Sequence, residues 1–429
     1  MTAGFARPDP PGEPRVRIRT RQAYVRLWYG ASAFGHLVVA LALLVPLGSW
    51  VAIGAALGIA SLVAWRMHAI VADPPRPRPI VVLVDQPLFC HLAAGLVGLL
   101  FLPATLAATL ALPELAWIEN LSIASAASYG GGLLVALWAI TIGRRRVRCR
   151  TVRVPVVDLP VRFDGYVIAQ LSDLHIGSYD RPRHARRWAR QAMTLSPDLL
   201  VVTGDLVTSG TRHYTAVAEV LGGVAPPDGV LVVSGNHDQW NTAALEEQLH
   251  RVGARLLDGR SISIERGSER IVVAGIEGSH DVGAAMDRSL GALSQSPTVL
   301  LAHYPEAFER AAAHGVGLTL SGHTHAGQFA VPGLERWLNL ATLTGHRTEG
   351  LYCRGSCWLY VSAGLGATGL PMRFGARPEI TRIVLCRAGA SSSGPFVRSD
   401  RLRPIEKRSN ETERSAGAKM VRPWTFGVW

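Results

Sequence analysis

The sequence contains little lysine, little cysteine and comparatively little acid. Only Lys407 and Lys419 are lysines among the 44 basic residues, and the 32 acidic residues leave a formal net charge of +12. The five cysteines are few, odd in number and scattered, which argues against a disulfide framework. Cys353 and Cys357 are spaced like half of a zinc-binding set, but no second Cys/His pair lies nearby. We therefore expect reduced, structural cysteines.

The chain is long, basic and apolar at the same time. Its 429 residues exceed one compact domain of usual size, and its mean hydropathy is +0.20. This combination favours membrane spans joined to a positively charged remainder, and a nucleic-acid partner is not expected.

Residues 27–143 have the pattern of about four transmembrane helices. No charged residue lies between Arg26 and Arg66, and one helix of that length at ~1.5 Å per residue would exceed a ~30 Å hydrocarbon core. Pro46 lies near the middle, so two spans joined by a tight turn fit better. Further apolar runs cover 88–112 and 121–142.

The arginines near the span ends predict the orientation. They concentrate in the N-terminal segment 1–26, in the middle connection and after the fourth span, whereas the other two connections have no Lys or Arg. All Arg-rich segments then lie on one face of an inner cell membrane, with the second half of the chain in the cytoplasm. His36 and His91 lie within apolar runs. Without acidic partners they are expected to pack between helices and are left out of the site.

Residues 154–387 show short apolar runs followed by turns and helical stretches. Among them, 230–233 is predicted to be a buried strand, and 261–265 with 270–274 is predicted to be a hairpin. This alternation predicts an α/β fold, a mixed β-sandwich flanked by helices. Residues 388–429 are rich in Ser, Arg, Glu and Pro with little periodicity, and predict a disordered basic tail.

Five motifs with metal-ligating residue types follow predicted strands in this second half. Any one of them alone would be a weak signal, but five in order are hard to explain as surface chemistry. They are Asp173-Leu174-His175, Gly204-Asp205, Gly235-Asn236-His237-Asp238, His303 and Gly322-His323-Thr324-His325. Carboxylate, imidazole and amide ligands without thiolate suit Mn, Fe or Zn in a catalytic site. Two such cations about 3.5–4 Å apart can activate water and clamp a phosphoryl group, with Asp205 as the candidate bridge.

These blocks resemble the calcineurin-like metallophosphoesterases, from about Phe163 to beyond His325. The resemblance implies two divalent metal ions, a metal-bridging hydroxide as nucleophile, and His237 as the histidine that protonates the leaving oxygen, oriented by Asp238. It implies one ion held by Asp173, His175, Asp205 and His325, and a second held by Asp205, Asn236, His303 and His323.

Within that family, the chain is similar to the membrane-associated phosphodiesterases related to YkuE and YaeI. The similarity includes Arg373-Phe374 and the segment 360–366. Ala326 departs from it, since those relatives usually have Gly there. Some members of the group hydrolyse UDP-diacylglucosamine, and others act on generic phosphodiesters.

The expected function is a membrane-anchored phosphoester hydrolase of the phosphodiesterase or pyrophosphatase type, acting on a lipid-linked or nucleotide-linked substrate. The alternative is a catalytically silent binding or regulatory module of the same fold, which loss of His237 or of a ligand would mark. A transporter or sensor is disfavoured because the spans carry no paired ionisable groups. The apolar stretch 337–343, behind the last metal motif, suits either the membrane interface or ordinary core packing.

Overall fold

The computed structural model describes residues 15–71, 76–111, 115–278, 286, 297–335, 338–343, 347–388 and 400–401. Residues of the predicted N-terminal segment before 15, and nearly all of the predicted tail, lie outside these ranges. The chain divides into two compact units. One contains residues up to 74 with 83–136, and the other contains 75–82 with 137–404.

The first unit is helical, and four helices are long and apolar enough to cross a membrane, as predicted. The candidate spans, numbered 1 to 4 below, are Tyr29–Leu47, Ser49–Met67, Arg78–Thr109 and Trp117–Arg145. The parent helices run Arg15–Leu47, Ser49–Val71, Arg78–Ile80 continuing through a π-helical turn at Val81–Asp85 into Gln86–Thr109, and Trp117–Thr141.

Small residues allow spans 3 and 4 to approach closely, as the Ser and Gly content of span 4 suggested. A Cβ added at Gly132 would lie 2.2 Å from the carbonyl oxygen of Ala94, so only glycine fits at that crossing. Ser122 donates its hydroxyl to the carbonyl of Ala42 on span 1 over 2.8 Å.

A chain of hydrogen bonds joins spans 1, 3 and 4. The His36 and His91 Nε2 atoms lie 2.9 Å apart, His91 Nδ1 is 2.7 Å from the Tyr129 hydroxyl, and His36 Nδ1 is 2.6 Å from the Ser32 carbonyl. The two histidines were predicted to pack between helices, and they contact each other as well as their neighbours. Arg66 on span 2 also pairs with Asp85 on span 3 over 2.6 Å. The expectation that the spans carry no paired ionisable groups was therefore wrong.

The second unit is a sandwich of two sheets, which confirms the predicted mixed α/β architecture. The first sheet has the order β1-β12-β2-β3-β4-β5, and the second has the order β13-β10-β11-β9-β8-β7-β6. The strands are β1 Arg148–Val156, β2 Val167–Leu171, β3 Leu199–Thr203, β4 Val230–Val233, β5 Ala254–Leu256, β6 Arg260–Arg266, β7 Glu269–Ile276, β8 Thr298–Ala302, β9 Leu318–Ser321, β10 Gly350–Arg354, β11 Cys357–Val361, β12 Glu379–Arg387 and β13 Asp400–Arg401.

Helices cover the sandwich, and the apolar strand residues fill it. The helices are Pro182–Met193, Tyr214–Gly222, Thr242–His250, Phe308–Ala313 and Leu340–Leu343, with single 3-10 turns at Gly143–Arg145, Val161–Phe163, Pro305–Ala307 and His325–Gly327. One apolar core lies between the sheets, around residues such as Ile168, Val201 and Leu301. Another lies between the first sheet and the helices, around Leu200 and Trp188.

Strand direction fixes where the functional loops emerge. β2, β3, β4 and β5 are parallel neighbours in the first sheet, as are β7, β8, β9 and β11 in the second. The carboxyl ends of parallel strands meet at one edge of a sheet, so the loops after β2, β3, β4, β8 and β9 lie together.

The first strand joins the sheet at that same edge. β1 is parallel to β12, with Arg148 opposite Glu379, and β12 is antiparallel to β2, with Thr381 opposite Gln170. β1 also begins before residue 154, where the catalytic domain was predicted to start, and its paired partner is one of the last strands of the unit. The chain therefore leaves span 4 and enters the sandwich beside the carboxyl end of β2.

Candidate metal centre

The predicted ligands all follow strand ends at the shared edge. Asp173 and His175 come after β2, and one ligand comes after each of β3, β4 and β8. Two come after β9. The structure thus brings together all seven residues predicted from the sequence: Asp173, His175, Asp205, Asn236, His303, His323 and His325.

Four of these residues form one buried group. Asp173, His175, Asp205 and His325 offer ligand atoms within 4.8 Å of one another. The two Nε2 atoms of His175 and His325 are 3.0 Å apart, and His325 Nε2 is 3.4 Å from Asp173 Oδ1. This is the set that the family resemblance implied for the first ion.

A second group overlaps the first through Asp205. His303 Nε2 is 3.3 Å from Asp205 Oδ2, 3.2 Å from His323 Nδ1 and 3.1 Å from Asn236 Oδ1. Asp205, His303 and His323 again offer ligand atoms within 4.8 Å of one another. Asp205 is the residue common to both groups, which is the arrangement that a bridging carboxylate requires.

Backbone contacts hold these ligands in place. The Nδ1 atom of His303 donates to the Thr203 carbonyl over 2.9 Å, so Nε2 is the ring nitrogen that faces the cluster. Close approach of β4 to the loop after β3 requires glycine, because a Cβ at Gly235 would lie 2.1 Å from Asp205 Oδ1. The Asp205 carboxylate accepts instead from the backbone N–H of His237 over 3.0 Å.

Most of the ligands adopt a strained backbone. Five of them are non-glycine residues in the left-handed region, where a side chain costs roughly 1 kcal/mol or more. They are Asp173 at φ 53°, His175 at φ 43°, Asp205 at φ 53°, His323 at φ 71° and His325 at φ 50°. Ala326 follows at φ 53°, which gives a physical reason for the glycine that relatives usually carry there.

The buried charges favour ionised carboxylate beside imidazole. Burial opposes ionisation of Asp205, but His303, His237 and His175 around it hold its pKa well below the usual value. Burial also lowers the pKa of His303, yet the Asp205 carboxylate more than compensates and raises it to about 10. A divalent cation bound to the same atoms would displace that proton, since metal ligands must be deprotonated.

The residues fit a divalent cation. Oxygen and nitrogen atoms converge from both sheets, and no thiolate takes part. The Nε2 atoms of His175 and His325 lie 3.0 Å apart. Such a set suits Mn, Fe or Zn. Five of the seven candidate ligands are buried, and Asn236 and His323 are half-buried. An uncompensated cluster of buried polar groups is costly in the interior.

His237 lies beside the ligands, and it is only half-buried. Its ring is 4.8 Å from that of His175, and its Nδ1 donates to the Thr208 carbonyl over 2.5 Å. Nε2 is thereby left as the nitrogen that faces the cleft. Asp238 was predicted to orient His237, but in the structure the Thr208 carbonyl makes this contact.

Asp238 supports the loops instead. Its carboxylate accepts from the backbone N–H groups of Leu206, Val207 and Gly235. Burial, and then the charge of Asp205, raise the pKa of Asp238 to about 7, while these three bonds act in the opposite direction. Asp238 ties the loop after β3 to the loop after β4, and so fixes Asp205 relative to Asn236.

Arg373 is a residue that reasoning from the sequence did not assign to the site. Its side chain is almost fully buried, and its guanidinium donates to the carbonyls of Gly366 and Ala363 over 2.9 and 2.8 Å. Its Nη2 also lies 3.0 Å from His325 Nδ1. The Arg373-Phe374 pair was part of the similarity to relatives, but no pattern in the sequence places its side chain at the site.

Two overlapping Asp/His groups at the carboxyl edge of a two-sheet sandwich define a metallophosphoesterase. Residues 166–327 match the family model described as calcineurin-like phosphoesterase. The chain is 33% identical over 237 residues to the metallophosphoesterase YkuE from Bacillus subtilis, covering 53% of this chain and 81% of that protein. The chain belongs to the calcineurin-like metallophosphoesterase family.

A relative with membrane spans matches as well. The transmembrane protein with metallophosphoesterase domain from Danio rerio is 33% identical over 275 residues, which are 59% of this chain and 61% of that protein. The chain thus spans about three fifths of the length of this relative. Among solved structures, the phosphopantetheinyl hydrolase PptH from Mycobacterium tuberculosis covers 47% of this chain and 91% of its own at 14% identity, with a TM-score of 0.30.

Proposed function

We propose that this protein is a membrane-anchored phosphoester hydrolase that uses two divalent ions, of Mn, Fe or Zn. The single observation that carries the proposal is the sharing of Asp205 by two buried ligand groups. Asp173, His175, Asp205 and His325 would hold one ion, and Asp205, Asn236, His303 and His323 the other. Bound ions of this kind polarise a phosphoryl oxygen and lower the pKa of water.

The protein's own residues supply orientation and a proton. Asp205 belongs to both ligand groups and would therefore fix their positions relative to each other. His237 is placed to deliver a proton to the leaving oxygen from Nε2, because the Thr208 carbonyl occupies the other ring nitrogen. His237 and every ligand position are present, which favours hydrolysis over the catalytically silent module.

The proposed substrate is a lipid-linked or nucleotide-linked phosphodiester or pyrophosphate. Four apolar helices precede the catalytic unit, and confinement to a bilayer raises the effective concentration of membrane substrates. The proposed setting is the cytoplasmic face of the cell membrane, from the distribution of arginines around the spans.

The test is an activity panel on the full-length protein, stripped of metal and reloaded with Mn, Fe or Zn. The panel compares a phosphomonoester, a phosphodiester, a nucleotide-linked lipid and a nucleic acid. Asp205→Asn should lower hydrolysis by more than about 100-fold and reduce bound metal, because loss of even an outer-shell partner costs about 10–100-fold.

The matched control is Asp198→Asn. Asp198 is a carboxylate before β3 at the opposite edge of the sheet, where it accepts from Val167 N and Arg266. It should leave metal content and turnover unchanged. Retained activity in Asp205→Asn would refute the bridging role, and inactivity of the parent protein on every substrate would refute the proposed function.

A further inference from the structure

A short loop beside the metal centre exposes apolar side chains. Ala330 pairs with Asn339 in an antiparallel bridge, and Val331 N donates to the Leu338 carbonyl over 2.9 Å, so the ends of the loop are closed. Between them Val331, Leu334 and Leu338 are 45%, 43% and 47% exposed. Residues 336 and 337 lie outside the described ranges. We call the described residues 330–335 and 338–339 the apolar loop.

The base of the apolar loop is fixed to the site. It begins shortly after the ligand His325, and Ala330 N donates to the Phe374 carbonyl over 2.8 Å. Phe329 forms bridges to Phe374 and Gly375. Asn339 is buried, and its side chain bonds the Glu335 carbonyl and Thr342. The exposed apolar groups therefore project from an anchored base.

The end of span 4 packs against the same segment. Residues from 137 onward belong to the catalytic unit. In that unit the Trp138 and Phe374 rings meet edge to face at 5.6 Å, and Arg373 N donates to the Ala139 carbonyl over 3.3 Å. Arg144 donates to the Pro371 carbonyl over 3.1 Å. One segment, Pro371 to Phe374, thus contacts both the last turns of a membrane span and the base of the apolar loop.

The strand topology places the metal centre at that end of the unit. Span 4 leads directly into β1 at Arg148, opposite Glu379, beside the carboxyl end of β2 where the first ligands follow. The ligand edge of the sandwich is therefore the edge at which the chain leaves the membrane.

Exposed cations flank this edge. The side chains of Arg145, Arg146 and Arg377 are exposed, and Arg377 bonds the Arg146 carbonyl over 3.2 Å. Arginines next to an exposed apolar loop suit the anionic headgroups and acyl boundary of a lipid leaflet. Exposed leucines fixed beside a span would otherwise stay in contact with water.

We propose that the apolar loop inserts into the bilayer surface around span 4, so that the metal centre opens at the lipid boundary. The occupant is the bilayer itself, which this chain's own spans already enter. The consequence for chemistry rests on the proposed function: a lipid-anchored phosphoester would reach the ligands without leaving its leaflet.

The test measures lipid contact directly, without hydrolysis. The photo-crosslinking residue p-benzoylphenylalanine replaces Leu334 in the full-length protein, reconstituted in nanodiscs of dioleoylphosphatidylcholine and dioleoylphosphatidylglycerol. We expect a lipid adduct at this position several-fold above that of the matched control, Val161. That residue is 61% exposed but follows β1, whose nine residues carry the chain roughly 25–30 Å from the exit of the span.

Two further variants make the result decisive. The same probe at Leu338 should also label lipid, which separates insertion from a fold defect at Leu334, and the labelling should persist in the Asp205→Asn background. Equal labelling at Leu334 and Val161, or none at Leu334 and Leu338, would overturn the proposal. If lipid is labelled but no substrate is hydrolysed, insertion of the apolar loop is supported and only the proposed function is refuted.

Discussion

At the residue scale, three imidazoles around the cleft contact a partner through the ring nitrogen that faces away from the cluster. Thr203 fixes His303, Thr208 fixes His237, and Arg373 contacts the far nitrogen of His325. Two of these partners are backbone carbonyls, which only accept, so the ring nitrogen facing them carries the proton. The reactive nitrogens are thereby set before any ligand arrives.

The contact with Thr208 leads to a prediction for His237. His237→Ala should lower turnover by about 10²–10⁴-fold, the range typical of a lost general acid, because the proton for the leaving oxygen is removed. Metal content, measured by elemental analysis, should match that of the parent, since no ligand changes. Unchanged turnover would mean that another acid protonates the leaving group.

Arg373 should act through His325 and not on the substrate. Arg373→Met removes the guanidinium that donates to the carbonyls of Gly366, Ala363 and His325 and so supports the backbone that carries this ligand, and we expect metal affinity to fall by about 10–100-fold, the range for loss of an outer-shell partner. Arg373→Lys should recover part of it, because an ammonium reaches fewer of the same acceptors. Affinity is measured by competition with a chelating dye.

The control for Arg373 is Arg148, which is half-buried at the same edge of the sheet. Arg148 pairs with Glu349 and Glu379 rather than with a candidate ligand, so Arg148→Met should lower thermal stability with little change in metal affinity. An equal loss of affinity in both variants would show a general effect of a damaged fold, and the positioning role of Arg373 would be wrong.

The clustering of the candidate ligands was predictable from the sequence, whereas their surroundings were not. Residue type and position after apolar runs identify Asp205 or His303, because strand ends converge. The positive φ of Asp173 and the contacts made by Thr208 and Arg373 depend on chain segments far apart in sequence. No local pattern reports them.

At the element scale, the hydrogen bonds between spans have a fixed direction. A carbonyl only accepts, so His36 donates Nδ1–H to Ser32 and presents Nε2 as an acceptor to His91. His91 in turn accepts the Tyr129 hydroxyl at Nδ1. Two neutral histidines thus have all their ring nitrogens paired, which suits an interior without water.

This chain of bonds predicts a stability effect at His91. His91→Phe removes the bonds to His36 and Tyr129, and interhelical bonds in membranes contribute about 0.6 kcal/mol on average and about 1.7 at most. We therefore expect a measurable drop in the unfolding midpoint of the full-length protein in detergent. Leu134→Phe, at an exposed position of span 4, should leave the midpoint unchanged. Similar midpoints for the two variants would contradict a stabilising role.

Elements with continuous apolar runs were predictable to within a residue or two, and β1 was not. Residues 230–233 were predicted as a strand and form β4, and the hairpin predicted at 261–274 forms β6 and β7. β1 alternates exposed arginines with buried valines, and its Arg content resembles a basic segment after a membrane span. Its strand character comes from pairing with β12, more than 200 residues later.

At the scale of the whole molecule, the arginine distribution predicts topology. Green fluorescent protein fused after Trp429 should fluoresce, because the catalytic half is expected in the cytoplasm. A truncation fused to alkaline phosphatase after Ala111 should be active, because the connection between spans 3 and 4 contains Glu114 and has no Lys or Arg, and Glu119 follows in the first turn of span 4. The opposite result for both fusions would overturn the predicted orientation, and two fusions reporting the same side would overturn the predicted number of spans.

The antiparallel pairing of β12 with β2 has a practical consequence. β12 starts at the ligand edge and ends at Arg387, after nine residues, so the chain leaves the sheet roughly 25–30 Å from the cleft. An affinity tag or a surface attachment placed after this strand would hold the protein at the edge of the sheet opposite the ligands. The cleft and the lipid disc around the spans would both stay open to titration, which makes the position just after β12 a suitable point for immobilising this protein.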